Sequence, residues 1–128
     1  MIVAVGLDLV ELERVRAVWR AHPERFLTRC FTGEEVAFAT ARRDPVPALA
    51  ARFAAKEAFQ KTWPVTLGWR DVAVVRTEGS APHLSFAPHV AERLAREGWR
   101  AHVSLTHARD HAAAVVVLEA VAPAATRG

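Results

Sequence analysis

The sequence predicts an α+β fold, a small and mainly antiparallel sheet packed against helices. Three observations carry that class: a Val- and Leu-rich, weakly alternating run at the N-terminus, an alanine-rich helical stretch at mid-chain, and short strand-like segments joined by turns in the second half. Strand–helix–strand units are too few for a parallel doubly wound sheet. At 128 residues the chain fits one domain, expected over residues 1–120, with 121–128 as a flexible C-terminal tail. No repeat of fixed period and no linker divides it.

Ile2 to Leu9 reads as a strand, with Val3, Val5, Leu7 and Leu9 on one face and Ala4, Gly6 and Asp8 on the other. From Glu11 the period changes, and Leu12, Val15, Val18 and Trp19 form a helical stripe that stops near His22 and Pro23. Arg14 and Arg16 lie off that stripe, on the solvent side. Glu24 to Thr40 is a second helical region, broken near Phe31, with Thr32 as N-cap and Glu35 as its capping-box partner. The next helix runs from about Pro47 to Thr62 and ends at Trp63-Pro64. Asp71 to Thr77 reads as a strand, Glu78 to Pro82 as a turn, and His83 to Phe86 as the returning strand. Pro88 to Glu97 is a helix closed by Gly98. Ala101 to His107 and His111 to Ala120 are the last strands, the second expected to be buried on both faces.

Composition narrows the function classes. Ala112 to Leu118, the longest apolar run, is too short to cross a bilayer, and the N-terminus meets Asp8 with no basic segment before it, unlike a secretory signal. One cysteine, Cys30, excludes an internal disulfide framework and a Cys-rich zinc site, and points to a reducing cytoplasm with Cys30 as a small buried hydrophobe. A net charge of +3 favours an acidic partner, yet no block of like charges forms a nucleic-acid arm. There is no tyrosine and no aromatic strand pair to act as a base-stacking platform, which counts against an RNA-binding domain.

The chemistry-bearing candidates sit on three elements. Within Arg52-Phe53-Ala54-Ala55-Lys56-Glu57-Ala58-Phe59-Gln60-Lys61, Phe53, Glu57 and Lys61 share one face, and Arg52, Lys56 and Gln60 the adjoining stripe. Two readings stand: a solvated helix face with a Glu57–Lys61 ion pair, or one carboxylate set among cations as a metal-assisted phosphate site needs. Asp8 likewise has two readings, a cap for the helix that follows or a second carboxylate for Mg²⁺. His107, ending Val103-Ser104-Leu105-Thr106-His107, is a loop-satisfied imidazole or a phosphate contact. Ser104 faces away from His107 by parity, and no G-x-S-x-G elbow, G-x-G-x-x-G loop or Walker pattern occurs.

Four segments in order resemble the short class of 4′-phosphopantetheinyl transferases, the holo-[acyl-carrier-protein] synthase family: Gly6-Leu7-Asp8-Leu9-Val10-Glu11-Leu12-Glu13-Arg14, Phe31-Thr32 with Glu35, Arg52 to Ala58 with Lys61, and Val103 to His107. The resemblance extends from the first residues to about Leu118. It implies transfer of the phosphopantetheine arm of coenzyme A to a serine of apo acyl carrier protein, releasing adenosine 3′,5′-bisphosphate, in the service of fatty acid biosynthesis. By the same resemblance Asp8 and Glu57 would hold Mg²⁺, Lys61 would act beside the phosphates, and His107 would contact coenzyme A. Arg52 and Phe53 would line that cleft, Arg14 would face the acidic carrier, and three copies would assemble with sites between neighbours. The serine proton would go to Glu57 or to a metal-bound water, both open at this point.

The chain departs from the family in two places. A Gly-rich segment that often follows the lysine is here Thr62-Trp63-Pro64-Val65-Thr66-Leu67-Gly68, and a turn that often reads Gly-Lys-Pro is Ser80-Ala81-Pro82. Both changes fall on the nucleotide pocket and leave the reaction class standing. The rival reading is a non-catalytic module that binds coenzyme A or an acidic protein, against which the intact Asp8, Glu57 and Lys61 speak.

Overall fold

The computed structural model of the chain describes residues 1–77 and 79–121. Glu78 of the expected turn and the tail from 122 onward lie outside them. The elements follow in the order β1 (Ile2–Glu11), α1 (Leu12–Ala21), α2 (Pro23–Cys30), α3 (Gly33–Thr40), α4 (Val46–Thr62), β2 (Val72–Val75), β3 (His83–Phe86), α5 (Pro88–Glu97), β4 (Trp99–His107) and β5 (His111–Ala120). They form an α+β fold with every strand pair antiparallel. The sheet divides in two: a three-stranded part in the order β1-β5-β4 and a separate β2-β3 hairpin. No helix among the described residues is long and apolar enough to cross a membrane.

Local chemistry accounts for most boundaries. The Thr32 hydroxyl accepts from the Glu35 N–H while the Thr32 N–H donates to the Glu35 carboxylate, so the expected capping box starts α3. Pro47 occupies the first turn of α4, where its missing N–H costs nothing. Gly98 stops α5 in the left-handed conformation, φ 71°, which a side chain would disfavour. On β1 the parity is as expected: Gly6 is buried, and Val3, Val5, Leu7 and Leu9 are exposed at 38%, 59%, 62% and 65%. Arg14 reaches solvent, whereas Arg16 is drawn to Asp44 by two hydrogen bonds, at 2.7 and 3.2 Å.

Two strands differ from expectation. β5 is not buried on both faces. Ala112, Ala114, Val116 and Leu118 are buried, while Ala113, Val115 and Val117 stay half-exposed, because helices cover only one side of the sheet. β2 is shorter than the expected strand, four residues paired with the four of β3.

Helix α4 is the axle of the molecule. Its alanines at 48, 50, 51, 54, 55 and 58 are buried, and it contributes to the apolar cluster against β5 and β2 and to the one formed with α1, α2 and α3. Against β1 it comes so close that a Cβ on Gly6 would fall 1.9 Å from the Ala58 carbonyl oxygen. Only glycine permits this helix-to-strand distance.

Gly6→Ala is therefore expected to cost at least the ~1–3 kcal/mol typical of overpacking, because the obstructing atom is backbone. Gly33→Ala, where nothing lies within 4 Å, serves as the control. Urea unfolding midpoints check this, and an unshifted Gly6→Ala midpoint would contradict the contact.

Candidate active site

Close packing at Gly6 sets the position of Asp8, two residues on and on the same face of β1. Asp8 does not cap α1: the N-cap is Glu11, with no side-chain hydrogen bond to the helix. The Asp8 carboxylate instead meets the last turns of α4, where Lys61 Nζ donates to the Leu7 carbonyl at 2.7 Å and lies 3.3 Å from Asp8 Oδ1. One turn back on the same helix face is Glu57. Asp8 and Glu57, 49 positions apart by subtraction of their numbers, line one cleft of about 550 Å³.

The cleft is lined by both charged and apolar side chains: Asp8, Glu11, Glu57 and Arg14 among the first, and Val15, Val18, Phe26 and Phe53 among the second. His111 and Cys30 also line it. Cys30 is thus half-buried at a cavity wall instead of lying in the core. Burial pushes its thiol up, against the pull of the Lys56 and Arg29 charges, so it stays protonated at neutral pH. On the other side of Glu57 a second cavity of about 270 Å³ opens between α4 and residues 66–69, lined also by Lys56, Gln60 and Val72.

The two stripes of α4 have different fates. Arg52 and Lys56 are turned into the protein, 3% and 4% exposed, and do not join Lys61 as free cations. Lys56 Nζ is 2.7 Å from the fully buried Glu35 carboxylate and also donates to the carbonyls of Trp69 and Val72. Burial pushes the Lys56 ammonium below the usual lysine range, and Glu35 pulls it back. Arg52 is likewise not on the wall of the cleft. Its guanidinium lies 4.0 Å from the centre of the Phe38 ring, Nη1 donates to the Ala48 carbonyl, and burial pushes it down to about 10 with Glu35 opposing. Packing of α3 and β2 over this side of α4 is the reason. Apolar neighbours enclose the aliphatic stems, and Glu35 makes the enclosure of a lysine tolerable.

His107 stands apart from the other candidates. It is exposed at the end of β4, in register with Ala112, which in turn pairs with Val10. Two strand spacings, about 10 Å, separate it from β1, and it lines neither cavity. Sequence reasoning missed Phe26, Trp69 and His111 as cavity residues, and the burial of Glu35. Local signals report Glu35 as a helix cap and nothing more.

Among the described residues no three His, Cys, Asp or Glu side chains gather as a metal cage. Two carboxylates at one cleft with Lys61 alongside still fit Mg²⁺, a hard cation that keeps waters and takes its remaining oxygens from phosphates. Lys61 meanwhile neutralises Asp8.

Comparison with known proteins identifies the family of the chain. The 4′-phosphopantetheinyl transferase superfamily model covers residues 4–116. A relative from Thermus thermophilus named holo-[acyl-carrier-protein] synthase is 58% identical over 120 residues, 94% of this chain and 95% of that protein. The crystal structure of the Neisseria meningitidis holo-[acyl-carrier-protein] synthase superposes with a TM-score of 0.84 at 30% identity, covering 93% of this chain and 99% of that one. A Bacillus anthracis holo-(acyl-carrier-protein) synthase, whose structure is a complex with CoA (3′,5′-ADP), superposes at 0.77 with 28% identity over 94% and 99% of the two chains. A matched family spanning nearly the whole fold, and close relatives of the same length, place this chain in the 4′-phosphopantetheinyl transferase superfamily, among the holo-[acyl-carrier-protein] synthases.

Proposed function

We propose that this chain transfers the 4′-phosphopantetheine moiety of coenzyme A to a serine of apo acyl carrier protein, releasing adenosine 3′,5′-bisphosphate. The observation that carries the reading is the meeting of Asp8 and Glu57, from two distant segments, at one open cleft, with Lys61 Nζ 3.3 Å from the Asp8 carboxylate. Asp8 and Glu57 would hold Mg²⁺, which when bound would supply positive charge against the diphosphate. As the serine oxygen attacks the phosphorus next to the pantetheine, the bond to the bridging oxygen breaks and negative charge grows on the departing nucleotide. Lys61, on the exposed end of α4, stabilises that charge. Glu57 and a water molecule are the acceptors open to the serine proton. Phe26 and Phe53 add apolar wall to the same cleft. Arg14 at the rim meets the acidic carrier, which gives the net charge of +3 a use.

The active assembly is a homotrimer with sites between copies. Support comes from the exposed row Val3, Val5, Leu7 and Leu9, unusual for a solvent-facing strand, and from the half-exposed Val115 and Val117 beside it. His107, remote from its own chain's cleft, reaches coenzyme A in a neighbour's. The reaction belongs to the cytoplasm, where coenzyme A and carrier are made and where a lone free cysteine is at home.

Incubating apo carrier with coenzyme A, Mg²⁺ and the protein should add one phosphopantetheine mass to the carrier, read by mass spectrometry. An unmodified carrier would return the chain to a binding role. Asp8→Asn and Glu57→Gln should each lower turnover at least ~100-fold in a folded protein, the scale of losing a transition-state charge stabiliser. Near-normal turnover of either at saturating Mg²⁺ would remove the metal assignment. Arg14→Glu should raise KM for the carrier by about 10-fold and leave KM for coenzyme A unchanged, and the opposite pattern would contradict the division of the cleft. Asp8→Ala and His107→Ala, each inactive alone, should recover activity when co-assembled, in about a quarter of sites by random assortment around a ring. A mixture that stays inactive would place His107 outside a shared site.

A further inference from the structure

The Glu35–Lys56 pair sits one residue from Glu57 yet takes no part in the chemistry above. Its bonding is complete. Glu35 Oε1 accepts from the Thr32 N–H and from Lys56, and Oε2 accepts from the Val74 N–H at 2.9 Å. Lys56 spends its three donors on Glu35 and on the carbonyls of Trp69 and Val72. One turn along the same stripe, Gln60 donates to the Val65 carbonyl and accepts from the Leu67 N–H. Two α4 side chains therefore clamp the loop between α4 and β2 at both ends, and the buried one holds the end that carries Trp69.

Trp69 is an unusual residue to find there. It is 37% exposed, stacks on Phe53 at 4.8 Å with the rings 22° from parallel, and lines the second cavity while Phe53 lines the main cleft. Glu57 lines both. The stacked rings thus form a wall beside Glu57 that belongs to both cavities, and the only side-chain hydrogen bond to the Trp69 backbone among the described residues comes from Lys56. We propose that Glu35 and Lys56 are positioning residues for the transfer reaction: by holding the Trp69 and Val72 carbonyls they keep Trp69 stacked on Phe53 and so shape the aromatic wall against which coenzyme A binds. This rests on the reading of the cleft as the coenzyme A site.

The test separates positioning from stability. Lys56→Met alone leaves a buried carboxylate unpaired and should lower the unfolding midpoint sharply. The double variant Glu35→Gln/Lys56→Met removes both charges at similar volume and should recover part of that midpoint, because the Gln amide accepts from only one of the Thr32 and Val74 N–H groups. It supplies no donor to the Trp69 carbonyl, so its KM for coenzyme A should stay raised by roughly 5- to 10-fold, with kcat within about 2-fold of wild type. Trp69→Ala should raise the same KM by a similar factor with a smaller fall in midpoint than Lys56→Met, since it loses one ring stack but leaves no buried charge unpaired, and adding it to the double variant should raise KM no further. A double variant with wild-type KM, effects that multiply, or a Trp69→Ala protein with wild-type KM would each overturn the proposal. Should the double variant not fold, Lys56→Met assayed well below its unfolding midpoint decides it, by the same rise in KM for coenzyme A, and a wild-type KM there would overturn the proposal. Loss of transfer in the wild-type protein would instead count against the function itself.

Discussion

The contact between the Gly6 backbone and the Ala58 carbonyl is the constraint on which the rest depends. A helix laid on a strand normally stands off by the thickness of two side chains. Here one of those side chains is a hydrogen, and α4 settles onto β1. Asp8 and Lys61 consequently meet across two elements far apart in the chain, and the Leu7 carbonyl, at a sheet edge, finds its hydrogen-bond donor in a side chain of the helix. A wider gap would leave Asp8 facing solvent and Glu57 without a second carboxylate. The buried alanines of α4 serve the same end, since small side chains let a helix approach a sheet closely along its length.

Around this axle the charges are sorted by what covers them. Glu57 lines the open cleft and Lys61 stays exposed beside Asp8, because none of the described residues seals that face of α4. Lys56, a single position from Glu57, is sealed by α3, β2 and the intervening loop, and is bearable there only because Glu35 and two carbonyls receive all of its donors. The same helix therefore presents reactive charge on one side and structural charge on the other.

The outer side of the three-stranded sheet has no cover among the described residues. Its valines and leucines on β1, continued by the outward residues of β5, form an apolar surface larger than scattered exposure explains. That surface and the remoteness of His107 from its own chain's cleft are the two observations on which the proposed assembly of copies rests.

Much of the architecture is determined by sequence alone, wherever a short-range rule is enough. The strand parity of β1, the Thr32–Glu35 capping box, the span of α4 and the Gly98 stop each depend on residues within a turn or two of one another. The motifs that mark the family are of this kind as well, short and contiguous. Tertiary structure alone decided which stripe of α4 would be buried, because Phe53-Glu57-Lys61 and Arg52-Lys56-Gln60 are both polar enough to face water. It alone decided that Glu35 would pair with Lys56, that Cys30 would border a cavity, and that β5 would be covered on one side. In each case the deciding energy is burial against a partner from a distant segment, and no local pattern carries the identity of that partner.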